Sequence, residues 1–294
     1  VKIGAMVPLG GKNVSASYVR TLGPALEERG FESLWLAEHN VLFDHDSYES
    51  RYPYTEDGRF PGPSDGALLE PLTALSFLAG VTTTLRLGTG ILVVPQRNPV
   101  FTAKQVSDVD LLSGGRVEFG IGIGWLREEF AALGASFEHR GGRTNDYLRV
   151  MQSCWTDEVS SYQGKYYELA PCRFNPKPVQ KPHPPIHVGG ETDAALRRVA
   201  EFGRGWYSLN PDPAAVPGAL ARLEPMLAER GRSLADVSVS VCPGLRDLDK
   251  EKLARFRDAG VDRVIVEVVA KDRDRLLSKL DRVAADVVDV ATAL

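Results

Sequence analysis

Eight short β-rich runs recur along the chain, at residues 3–7, 33–37, 85–89, 117–121, 185–188, 205–209, 237–241 and 263–268. Stretches with helical periodicity lie between most of them, at 15–29, 72–79, 103–112, 196–202, 214–230 and 250–259, and one at 273–284 follows the last run. Strand and helix periods that alternate this often specify an α/β fold with a parallel sheet. Eight strands favour a closed (β/α)8 TIM barrel, with an open doubly wound sheet as the alternative. A length of 294 residues fits one such barrel as a single domain over the whole chain.

Two connections exceed what a bare barrel needs. Residues 40–70 follow the second strand, which places them at the C-terminal mouth of the barrel, where such folds carry their sites. Rich in Tyr48, Tyr52, Tyr54, Phe60 and Pro61, this insertion reads as a lid or substrate-selecting loop. Residues 134–184 hold a helix around 146–155 and a hairpin over 161–167 that turns at Gln163-Gly164-Lys165. A proline-punctuated exit then runs from Asn175 to Pro185.

Composition narrows the function classes. Hydrophobic residues make up 43% and charged residues 25%, as in ordinary soluble globular proteins. A net charge of −4 lacks the basic excess of nucleic-acid binders. No apolar run reaches the ~18 residues of a membrane span, and no export signal opens the chain, so a cytoplasmic protein without a membrane partner is expected. The three cysteines, Cys154, Cys172 and Cys242, are too far apart for a zinc site or a disulfide framework.

In a barrel the residues just after each strand converge on one mouth. Here they include Glu38-His39, Gly90-Ile91, Gly122 to Trp125, Gly189-Gly190 and Glu267. The paired glycines 189 and 190 end a strand, and Thr192 and Asp193 open the next helix. Unpaired N–H groups there offer an anion site, most naturally for a phosphate. The simpler alternative is a strand-to-helix turn with Thr192 or Asp193 as N-cap. His39 sits where a proton donor or acceptor would face the mouth; alternatively it is satisfied by neighbouring backbone or only shapes the pocket. No histidine pair has metal-ligand spacing, so no metal is expected, and neither a Gly-x-Ser-x-Gly elbow nor a Walker-type loop is present.

Taken together, Glu38-His39, Gly88-Thr89-Gly90-Ile91 leading to Arg97-Asn98-Pro99, Gly122 to Phe130, Arg140-Gly141, Pro184 to Gly190 and Gly205-Trp206 resemble the bacterial luciferase-like monooxygenase superfamily. The similarity runs from residue 2 to about residue 210, and within the superfamily it is nearest the subgroup that uses the deazaflavin coenzyme F420. The resemblance implies a flavin-type ring at the mouth, beside a bulge that in relatives contains a non-proline cis peptide and maps to Gly90–Ile91. An ordinary trans bond at a glycine kink is the alternative. It further implies phosphate contacts at Gly189, Gly190 and Thr192, and ring or tail contacts from Arg97 and Asn98. Asn98 is equally suited to capping the helix near Pro99. Glu38 and Trp125 would border the substrate pocket, although Trp125 also suits plain packing and Glu38 a structural part. His187 stands where tryptophan is frequent in relatives, as a second pocket histidine or a buried, hydrogen-bonded one.

These readings predict an F420-dependent oxidoreductase that transfers a hydride between the deazaflavin and a small organic substrate, with His39 handling the proton. Arg51, Arg59 and Lys177 are candidates for the coenzyme's acidic tail. An FMN-dependent monooxygenase is the first rival, and a flavin-binding protein without catalysis the second. A glycosidase using Glu38 and Glu267 ranks last. A homodimer fits the resemblance.

Overall fold

The computed structural model describes residues 1–11, 14–62, 68–244 and 248–294, so residues 63–67 of the first insertion lie outside the description. The strands are β1 (Lys2–Met6), β2 (Ser33–Leu36), β3 (Arg86–Thr89), β4 (Leu92–Val93), β5 (Val117–Gly122), β6 (Ser160–Gln163), β7 (Glu168–Cys172), β8 (Ile186–Gly189), β9 (Gly205–Leu209), β10 (Ser238–Cys242) and β11 (Arg263–Glu267). The helices are α1 (Ala16–Glu28), α2 (Pro71–Ala79), α3 (Pro99–Leu112), α4 (Arg127–Ala132), α5 (Arg140–Thr156), α6 (Asp193–Phe202), α7 (Val216–Ala228), α8 (Lys250–Asp258), α9 (Arg273–Val283) and α10 (Asp289–Thr292). Parallel pairing runs in the order β3-β2-β1-β11-β10-β9-β8-β5, and β5 pairs back onto β3 with Leu87 opposite Val117. That last pairing closes an eight-stranded barrel. The fold is the expected (β/α)8 TIM barrel.

Strict alternation along the strands sorts side chains to two places. Ile3, Ala5, Leu34, Leu36, Leu87, Phe119, Ile121, Val188, Val239, Val241, Val264 and Val266 point outward into the core shared with the helices. Their neighbours fill the barrel. Met6, Trp35, Tyr207, Cys242 and Ile265 form a separate apolar cluster inside, toward the mouth. Beneath Trp35 lies a polar layer of Glu118, His187, Ser240 and Arg263, all buried.

Trp35 fills the barrel because glycines make way for it. A Cβ on Gly88 would lie 2.5 Å from the indole, and one on Gly120 3.3 Å from it. Gly205 does the same for His187, whose Nδ1 would stand 1.9 Å from an added Cβ. The imidazole has no room to yield, since its Nε2 is bonded to Glu118 and its ring packs edge-on against Trp35 at 5.3 Å. Gly205→Ala is therefore expected to lower stability by ~1–3 kcal/mol, the usual range for overpacking, measured by urea unfolding. An unchanged midpoint would mean that His187 moves freely.

Departures from the expected boundaries have local causes. α3 begins at Pro99, with Asn98 Oδ1 accepting from Phe101 N at 3.0 Å, so the favoured N-terminal proline starts the helix earlier than hydrophobic periodicity suggests. α5 begins at Arg140, although Gly141 and Gly142 are weak helix formers. Arg198 compensates by donating to Gly141 O and to Asn145 Oδ1. The second-insertion hairpin opens at Gly164, whose N–H meets Tyr167 O at 3.0 Å, giving a wider turn than expected. No helix among the described residues is long and apolar enough to cross a membrane.

Candidate active site

The first insertion is pinned over the mouth by two neighbouring carboxylates of α4. Glu128 accepts from the backbone N–H groups of Glu49 and Ser50 and from the Ser50 hydroxyl. Glu129, buried, accepts from Asn40 N at 2.6 Å and from Val41 N at 3.4 Å. Its second oxygen lies 3.1 Å from His39 Nδ1. A carboxylate only accepts, so Nδ1 carries a proton facing Glu129 and Nε2 is the ring's other nitrogen. Nε2 has no hydrogen bond among the described residues.

Aromatic rings wall this imidazole. Phe60 is 4.9 Å from His39 and Trp125 is 5.9 Å from it, centroid to centroid. Tyr48 and Tyr52 pack edge-on against Trp125 at 5.9 and 5.1 Å. The insertion's aromatics and Trp125 therefore form one cluster over the C-terminal strand ends. Burial, reinforced by Tyr54, Glu267 and Cys242, pushes the Tyr52 phenol up to about 12, which leaves it a neutral donor at ordinary pH.

The Gly90–Ile91 peptide is cis, at the position the family resemblance implies. Gly90 turns its bare face into the barrel, where an added Cβ would meet Met6 at 2.6 Å and the Tyr207 hydroxyl at 3.4 Å. Glu38 holds this bulge from outside the mouth. Buried to 4% exposure, it accepts from Val93 N at 2.5 Å and from Arg97 Nε at 2.7 Å. Arg97 in turn reaches Glu70 at 2.7 Å, and Glu70 caps α2. Glu38 and Arg97 are thus paired to each other, and the paired-carboxylate glycosidase reading loses its first acid.

At the end of β8, Gly190 adopts φ +107°, a conformation that favours glycine. Thr192 then caps α6, its hydroxyl accepting from Ala195 N at 3.2 Å. Glu191 and Asp193 flank this turn, and Arg222 bridges them by donating to Glu191 O and to Asp193 Oδ1. Lys177, a candidate for an acidic tail, instead donates to the carbonyls of Cys154 and Asp157. Arg59 lies over the Tyr48 ring at 5.6 Å, and Arg51 reaches Glu56 O at 3.4 Å. His187 is not at the mouth; it is buried in the layer below, bonded to Glu118.

A groove among Lys181, His183, Arg204 and Arg232 lies at the opposite end of the barrel. Arg232 there is engaged by the carbonyls of Val199, Ala200 and Gly203 at the end of α6, which marks a structural role. Among the described residues no cluster of three or more histidine, cysteine or acidic side chains is arranged to hold a metal.

The family model for luciferase-like monooxygenases matches residues 2–264. The chain belongs to the luciferase-like monooxygenase family. An uncharacterized protein of Mycobacterium tuberculosis is 30% identical over 245 residues, 83% of either chain. An FMNH2-dependent dimethylsulfone monooxygenase of Pseudomonas putida is 31% identical over 205 residues, covering 69% of this chain and 53% of that one. Among solved structures, an F420-dependent secondary alcohol dehydrogenase bound to an F420–acetone adduct superposes with a TM-score of 0.78 at 15% identity, over 98% of both chains. The luciferase-like fold is therefore shared with both flavin- and deazaflavin-dependent proteins.

Three residues near the mouth have no role marked in the sequence. Glu129 sits in a short helix whose acidic first turn reads as an ordinary helix start. Tyr207 and Cys242 look like plain strand residues, and only strand parity within the barrel turns them inward. Counting alternate positions from Trp35 across the paired strands is the signal that finds them.

Proposed function

We propose that this barrel is an oxidoreductase that uses coenzyme F420 to move a hydride to or from an organic substrate. The observation that carries the reading is the His39 imidazole, oriented by Glu129 and open at Nε2 inside an aromatic wall. A flat ring would lie against the Gly90–Ile91 peptide, whose inner face packs directly on Met6, Trp35 and Tyr207, and the Tyr207 hydroxyl has no hydrogen-bond partner among the described residues. Gly189, Gly190 and Thr192 would hold the phosphate at the start of α6, with Arg222 offsetting the Asp193 carboxylate. Arg97 and Asn98 would serve indirectly, one by locking Glu38 onto the bulge and the other by starting α3.

The deazaflavin supplies a two-electron hydride carrier. The chain supplies proton handling and exclusion of water. As a substrate alcohol is oxidised, Nε2 takes the hydroxyl proton; in the reverse direction the protonated ring returns it to the carbonyl oxygen. Glu129 keeps the proton on Nδ1 in the first case and stabilises the doubly protonated ring in the second. Trp125, Phe60 and Tyr52 shed water from the reacting atoms and select for apolar substrate surface.

The dimethylsulfone monooxygenase relative favours a second reading, an FMN-dependent monooxygenase in which the same residues border the ring. Titration with F420 and, separately, with FMN, followed by quenching of cofactor fluorescence, separates the two. Preferential micromolar binding of F420 is expected, and Gly189→Asp, which puts a carboxylate against Ile121 O and Ile91, is expected to abolish it. Preference for FMN would transfer the chain to the second reading. Binding of neither would end both.

A further inference from the structure

Tyr207 lies on β9 with its side chain inside the barrel and 4% exposed. Among the described residues its hydroxyl has no hydrogen-bond partner of good geometry, and its one close polar neighbour is the weakly bonding Cys242 thiol on the adjacent strand. A buried hydroxyl in that condition weakens the empty fold, and one kept in a native core needs an explanation. Its position supplies one. The oxygen would stand 3.4 Å from a Cβ on Gly90, so the phenol points at the inner face of the Gly90–Ile91 peptide. Ile91, Ala37 and Leu209, only partly buried, border the same space. Trp35 packs below at 5.7 Å and fixes the ring's height. Burial, then Cys242, keeps the phenol well above its ordinary value, so it remains an O–H donor.

We propose that the Tyr207 hydroxyl binds the cofactor directly, donating a hydrogen bond to an acceptor, a carbonyl oxygen or a ring nitrogen, on the edge of the ring that lies against Gly90–Ile91. The inference rests on the flavin-type reading of the mouth given above. It gives the site two polar contacts with different tasks: His39 on one wall meets the substrate, and Tyr207 on the floor meets the ring.

Tyr207→Phe removes the oxygen and nothing else. Three measurements are made on wild type and variant: the unfolding midpoint without ligand, the affinity for F420 and for FMN by fluorescence quenching, and the absorbance of the bound ring. Without ligand the variant is expected to be as stable as wild type or more so, since it loses an unpaired buried hydroxyl. Its affinity for the cofactor that wild type binds is expected to fall about tenfold, and the bound ring's spectrum is expected to lose the shift produced by wild type. Unchanged affinity and spectrum would overturn the inference, as would a lowered unfolding midpoint, which would assign the hydroxyl a structural partner. If wild type binds neither cofactor, the reading of the mouth fails with it. A failure confined to the variant leaves that reading standing and removes only Tyr207.

Discussion

His39→Ala is expected to reduce turnover by roughly 10²–10⁴-fold, the range for losing a positioned acid–base group, while cofactor affinity stays within about threefold of wild type. The split follows from where the imidazole stands. Glu129 holds Nδ1, the aromatic rings of Phe60 and Trp125 fix the plane, and Nε2 is left for a substrate atom. The cofactor contacts proposed at Gly90, Gly189, Gly190 and Thr192 involve none of these groups. The assay uses the fastest substrate from a panel of alcohols and carbonyl compounds, with kcat and KM measured separately. Glu129→Gln should fall between the two: its amide keeps an acceptor but also offers an N–H, so either ring tautomer can form. If kcat survives His39→Ala, the imidazole is a wall of the pocket, and the proton must come from Tyr52 or from water.

The barrel was legible in the sequence because strands buried on both faces must be apolar at outward positions, and the eight runs show it. The mouth was legible in part. Gly90 marks a close approach to Met6, Gly189 a tight one to Ile121 and Ile91, and Gly190 a positive φ, and His39 interrupts the pattern just after a strand. Pairings remote in sequence were not legible. Glu38 meets Arg97 across 59 positions, and His39 meets Glu129 across 90. His39 at the mouth and a structural part for Glu38 were readable from their place after the strand, but neither Arg97 nor Glu129 could be named as their partners. Naming them needs the register of strands that the sequence does not print. Asn98 shows the converse: its role as a helix cap was readable from Asn-Pro alone, because capping is local chemistry.

The polar layer beneath Trp35 gives the other large effect. Glu118 is 5% exposed, and burial alone would raise its carboxyl. His187, then Arg263 and Arg86, more than reverse that and hold it at about 2, against an ordinary 4.5. A carboxylate whose folded value is depressed stabilises the fold at pH above its unfolded value, and the contribution disappears as pH falls from 4.5 toward 2. The gap corresponds to ~3 kcal/mol at neutral pH. Glu118→Gln removes it, while Arg263 keeps its pair with Glu32 and the partly exposed Arg86 its bond to Gln180, so a loss of ~3 kcal/mol is expected at pH 7. Urea unfolding of both proteins at pH 7, 4 and 2.5 measures this, and the difference between them should narrow steadily through the acid range. A difference that does not change with pH would mean that Glu118 acts through packing alone. The result also bears on the mouth, because Trp35 lies between this layer and Gly90, with the Arg263 guanidinium 5.4 Å from its ring and a Cβ on Gly90 3.3 Å from its own. A variant that loosens Glu118 should therefore weaken cofactor binding as well, whereas Gln substitution at a surface carboxylate such as Glu201 should change neither stability nor affinity by more than about 0.5 kcal/mol.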